Sequence, residues 1–94
     1  MPTYTPTESF LRDFRGLSVE QQDAFRKALR HFIEDIKGGR FRAGLRVRGI
    51  QGMPGCFEMS WAADGRAIFT YGAEVREGER HVMWLAIGSH AILP

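Results

Sequence analysis

Three short runs of alternating apolar and polar residues, separated by glycine-bearing turns, do most to constrain the fold of this 94-residue chain. They lie between Leu45 and Tyr71: Leu45 to Ile50, Cys56 to Trp61, and Arg66 to Tyr71. Side chains alternate across a strand with period two, so each run predicts a strand with a core face and a polar face. Leu45, Val47, Phe57, Met59, Trp61, Ala67, Phe69 and Tyr71 share the first face. Arg46, Arg48, Glu58, Ser60, Arg66 and Thr70 share the second. Ala62-Ala63-Asp64-Gly65 joins the second and third runs, and Asp-Gly is a strong hairpin signal. Gly52-Met53-Pro54-Gly55 reads as a bend or tight loop.

The N-terminal half has a different period. Thr7 is placed to cap a short helix carrying Phe10, Leu11 and Phe14, which Gly16 ends. Ser18 with Gln21 forms a capping-box pattern ahead of a second helix. Phe25, Ala28, Leu29, Phe32, Ile33 and Ile36 recur there at three and four, and Gly38-Gly39 stops it. Tyr4-Thr5 reads as a short first strand, Gly72 to Arg80 as an exposed loop. His81 to Ile87 is apolar on both faces, as suits an interior strand. Segregated helices and strands predict an α+β domain spanning residues 1–94. Its N-terminal helical hairpin packs on one face of a four- to five-stranded, mainly antiparallel sheet.

Composition narrows the function classes. One cysteine, Cys56, excludes an intramolecular disulfide framework and a multi-cysteine zinc site, and fits a reducing cytoplasm. The three histidines are scattered without metal-ligand spacing, and no phosphate loop or dinucleotide fingerprint occurs. No signal peptide is visible, and no apolar run approaches the ~20 residues that cross a bilayer. The expectation is a cytoplasmic protein with no membrane, metal or cofactor. The net charge is only +2, yet Lys37, Arg40, Arg42, Arg46 and Arg48 cluster with no acid between them. Such a cluster attracts phosphates, and it equally describes a solvated basic edge.

The residues that could do chemistry each have two readings. Glu58, in mid-strand among arginines, is either a cross-strand ion pair or a general base held among phosphate-binding cations. Arg66 either solubilises the hairpin or anchors a phosphate with its fixed fork of donors. His90, just past the last strand, is either incidental or a proton donor.

Several short sequences together resemble the RelE/ParE superfamily of bacterial toxins. They are Leu45-Arg46-Val47-Arg48, Gly52-Met53-Pro54-Gly55, Cys56-Phe57-Glu58-Met59, Arg66-Ala67-Ile68-Phe69 and Ile87-Gly88-Ser89-His90. The likeness covers nearly the whole chain. It implies a helical hairpin on an antiparallel sheet, and a metal-independent, cofactor-free nuclease that cuts mRNA on the ribosome. In such nucleases the 2′-hydroxyl attacks the adjacent phosphate and leaves a 2′,3′-cyclic phosphate. Glu58 matches the glutamate base of YoeB-like members, Arg66 the arginine on the scissile phosphate, and His90 the C-terminal histidine acid. Arg46 and Arg48 fall where relatives present basic residues to RNA, and Arg42 and Arg40 beside them are further candidate RNA-binding residues. Relatives often carry a tyrosine or phenylalanine shortly after the histidine, whereas Ala91-Ile92-Leu93-Pro94 follow here. The implied partners are a cognate antitoxin and ribosome-bound mRNA, with DNA reached only through the antitoxin complex. Gyrase inhibition of the ParE type and non-catalytic binding on the same fold are the alternatives.

Overall fold

A computed structural model of the chain describes residues 2–94. The elements are β1 (Thr3–Pro6), α1 (Glu8–Arg15), α2 (Val19–Gly38), β2 (Arg48–Ile50), β3 (Met53–Ser60), β4 (Gly65–Gly72) and β5 (His81–Ser89). Short 3-10 turns occupy Ala43–Leu45 and His90–Ile92. The five strands form one mixed sheet in the order β1-β5-β4-β3-β2, antiparallel except where β1 runs parallel to β5. The α+β arrangement expected from the sequence is therefore present, with β5 interior.

Local chemistry sets the helix ends. The Thr7 hydroxyl accepts from the Phe10 amide at 3.1 Å and donates to the Leu85 carbonyl at 3.3 Å, so one residue starts α1 and ties it to β5. The capping box at α2 is complete: Gln21 N–H donates to Ser18 Oγ, and Ser18 N–H to Gln21 Oε1. Gly39, at φ 80°, adopts the left-handed cap that glycine takes without strain.

The core lies between the helices and the sheet face carrying Phe57, Met59, Ala67, Phe69, Val82, Trp84 and Ile87. Phe32 meets Phe69 edge-on at 5.0 Å between centroids, and Phe25 meets Trp84 edge-on at 5.6 Å. Burying each such ring contributes on the order of 1.5–3 kcal/mol. β5 looks apolar on both faces because of a bulge. Phe69 pairs with Trp84 but Ile68 pairs with Ala86, so Leu85 is an extra residue and the alternation inverts there. The core set becomes Val82 and Trp84, then Ile87.

Two expectations fail. The strand expected over 45–50 begins only at Arg48. Leu45 is buried in a 3-10 turn, and Arg46 caps that turn at φ 49°, in the left-handed region. Residues Leu45 and Arg46 therefore never join the sheet alternation. The bend expected at Gly52 to Gly55 is shorter: Gln51-Gly52 turns the chain and Met53 already pairs with Ile50. The register then jumps to Gly49 opposite Phe57, an irregularity that Gly55 accommodates at φ 80°.

Candidate active site

The sheet face away from the helices carries Glu58 near its middle. In the β3–β4 register Glu58 lies opposite Ile68, and Ser60 opposite Arg66. In β2–β3, Glu58 lies opposite Arg48. The carboxylate thus has a directly paired arginine on one side and a diagonal one on the other, both on its own face. Arg48 Nε donates to Glu58 Oε1 at 3.1 Å, and Arg66 Nε stands 3.9 Å from the same oxygen. Glu58 is only 5% exposed. Burial of a carboxylate is costly unless it is paired, and these two guanidinium groups supply the pairing.

Arg66 is held from behind. Its Nη1 donates to the carbonyls of Gly65, Ala63 and Ala62 at 2.9, 3.3 and 3.4 Å. Those contacts fix the guanidinium plane and leave Nη2 with no protein partner among the described residues. Arg48, by contrast, has a largely exposed side chain. Two cations and one anion leave this cluster with a net positive charge.

His90 arrives from the other end of the sheet. Gly65 pairs with Ser89 and Arg66 with Gly88, so the end of β5 lies beside the β3–β4 turn. There the His90 imidazole Nδ1 is hydrogen-bonded to Asp64 Oδ1. His90 is exposed, and its Nε2 has no protein partner among the described residues. The bond with His90 holds the Asp64 carboxyl below its usual value. In the sequence Asp64 signals only a turn. The strand register that brings a residue 26 positions away beside it is not a local signal.

The chain beyond His90 returns over this same face. A Cβ on Gly88, which shares the face with Arg66, would stand 2.9 Å from Ile92 Cγ2, so Gly88 makes room for the returning turn. Ile68, between Glu58 and Ala86 in register, is 3% exposed yet outside the main core cluster. Leu93 and Pro94 then wall a cleft of about 350 Å³ together with Arg48, Gly49, Gln51 and Glu58. Apolar tail residues occupy the position beside the carboxylate.

The remaining arginines do not join the cluster. Arg42 is clamped to α2: its backbone N–H and Nε both donate to Asp35 Oδ2 at 2.8 Å, its Nη2 to Asp35 Oδ1 at 2.8 Å and to Glu34 Oε2 at 3.1 Å. These bonds from Arg42 hold the Asp35 carboxyl at about 2. The basic run has no acid in its own sequence, but the helix before it supplies two. Arg46 lines a different cavity, against α2, because its left-handed backbone takes it off the sheet. Arg40 is exposed on the connector. No group of three or more acidic, histidine or cysteine residues among the described residues is arranged to hold a metal ion. None of the described helices is long and apolar enough to cross a membrane.

No family sequence model matches the chain, and no curated protein matches it in sequence. Solved structures match it over nearly its full length. The Escherichia coli DinJ–YafQ toxin–antitoxin complex gives a TM-score of 0.68 at 14% identity, covering 98% of this chain and 96% of the other. The intact E. coli RelBE toxin–antitoxin complex gives 0.63 at 19% identity, covering 95% and 96%. A YoeB/ParE toxin from Agrobacterium tumefaciens gives 0.67 at 13% identity, covering 94% and 98%. The fold is that of the RelE/ParE toxins. At these identities the RelE/ParE likeness fixes the path of the backbone. The chemistry has to be argued from this chain's own side chains.

Proposed function

We propose that this protein is the toxin of a toxin–antitoxin pair and acts as a metal-independent endoribonuclease on ribosome-bound mRNA. The observation that carries the reading is Glu58: a buried carboxylate on the helix-free sheet face, bonded to Arg48 and flanked by Arg66. A purely structural ion pair gains little from burial, because desolvation offsets the Coulomb attraction. A base set beside phosphate-binding cations has a reason to be there.

In the proposed reaction Glu58 takes the proton of the ribose 2′-hydroxyl. The 2′-oxygen attacks the adjacent phosphorus as the bond from phosphorus to the 5′-oxygen breaks. Arg66, through its free Nη2, and Arg48 offset the charge building on the phosphoryl oxygens. Protonated His90 delivers its Nε2 proton to the departing 5′-oxygen, while Asp64 fixes the ring through Nδ1. The products are a 2′,3′-cyclic phosphate and a 5′-hydroxyl. The partner is an antitoxin that covers this face, as antitoxins accompany YafQ and RelE in their complexes.

Inducing the chain in a bacterial host tests the reading. Wild type arrests translation, whereas Glu58→Gln, Arg66→Ala and His90→Ala each relieve the arrest while remaining folded. Undiminished toxicity in all three removes the nuclease assignment. DNA-damage signalling with intact mRNA points instead to gyrase.

A further inference from the structure

A second cavity lies away from the Glu58 cleft. It is a hollow of about 590 Å³ between the N-terminal half of α2, the Ala43–Leu45 turn and the end of β3. Its apolar lining includes Ala24, Ala28 and Leu45. Its charged lining is entirely basic: Lys27, His31, Arg42 and Arg46, with no acid. Arg42 is already engaged by Asp35 and Glu34, but Lys27 and Arg46 make no ion pair among the described residues. Two further lining residues, Ser60 and Trp61, are more than nine-tenths buried, and their Oγ and Nε1 atoms have no hydrogen-bond partner. Orphaned buried donors are rare, and each costs on the order of 1–3 kcal/mol.

This cavity borders the turn that holds Arg66. Ala62 and Ala63 line it, and the carbonyls of the same two residues hold Arg66. The β3–β4 turn therefore has the scissile-phosphate anchor on one side and the cavity on the other. From this arrangement we infer that the cavity is a subsite for an unpaired nucleotide flanking the cut. The base rests on the alanine floor, and its phosphate lies between Lys27 and Arg46. Single-stranded RNA is recognised by bases turned out into such pockets and by cations along the backbone. An acidic peptide is the competing occupant, and a poly-glutamate probe tells it apart from RNA. The inference rests on the ribonuclease reading above.

The probe is a short 2′-O-methyl oligoribonucleotide, which lacks the nucleophilic hydroxyl, titrated by fluorescence anisotropy. Lys27→Glu with Arg46→Glu is expected to weaken binding about 10-fold or more. The slope of log K against log salt should fall by about 1.4, from two lost phosphate contacts at ~0.7 each. The control, Arg12→Glu with Arg15→Glu on α1, should stay within about 2-fold, since only distant charge changes. The Trp61 indole N–H resonance should shift on titration. Equal losses in both double variants, or an unmoved indole signal, overturn the subsite. A shift caused by poly-glutamate and not by RNA also overturns it, in favour of a peptide. Wild type binding that is weakened by Arg66→Ala but not by Lys27→Glu with Arg46→Glu sinks this inference alone. No RNA binding by wild type sinks the ribonuclease reading with it.

Discussion

Replacing Glu58 by glutamine separates the two readings of that residue. Glutamine keeps the shape and one acceptor oxygen, so the 3.1 Å bond from Arg48 can persist. It loses the charge and the ability to take a proton. The structural cost is small. The side chain of Arg48 is 65% exposed and returns to water, and Arg66 keeps its three carbonyl contacts. A loss of ~1 kcal/mol is expected, at the low end for charged hydrogen bonds because one partner is solvated. For a domain of this size that lowers Tm by roughly 4–8 °C. Loss of a general base costs ~10²–10⁴ in rate, about 3–5 kcal/mol at 1.36 kcal/mol per decade. The assay is cleavage of mRNA on stalled ribosomes under single-turnover conditions, with thermal melting alongside. A folded Glu58→Gln that cuts within about 3-fold of wild type shows the pair to be structural, since loss of a base costs far more.

Three further outcomes follow from the geometry. Arg66→Lys keeps the charge but not the fork that reaches the turn carbonyls, Glu58 and a phosphate together. Cleavage should fall ~10²-fold with the fold intact, and a rate near wild type rules out bidentate anchoring. Gly65→Ala places a Cβ 2.6 Å from two Trp61 ring atoms, so melting should show a loss of ~1–3 kcal/mol; an unchanged Tm means the indole is free to move. The clamp between Asp35 and Arg42 is acid-sensitive. Asp35 is held at about 2, below its ordinary 3.8, so its contribution is present above ~4 and disappears as pH falls toward 2. The Arg42 amide resonance should follow that loss, and Asp35→Asn should abolish the step.

The fold was legible wherever the pattern was periodic. The α2 stripe, its capping box and the Asp-Gly hairpin are local signals, and they position the core strands correctly. The failures have a common cause. Arg46 looked like a strand residue because alternation cannot distinguish an extended chain from a tight 3-10 turn with a left-handed cap. Arg42 looked like a free cation because its acids lie on the preceding helix, seven and eight positions back. Leu85 hid a bulge inside an apolar run. At the candidate site, Glu58, Arg48 and Arg66 could be placed together by strand parity, and the register does so. Asp64 beside His90, and Leu93 and Pro94 beside Glu58, depend on the return of the C-terminal turn over the sheet, which sequence spacing does not encode.

The chemistry of the cut ends decides the matter. Wild-type protein is incubated with programmed ribosomes, and the termini of the new mRNA fragments are determined. Proton abstraction by Glu58 requires 2′,3′-cyclic phosphate and 5′-hydroxyl ends, absent with Glu58→Gln. Fragments ending in 3′-hydroxyl and 5′-phosphate are incompatible with a carboxylate base acting on the 2′-hydroxyl.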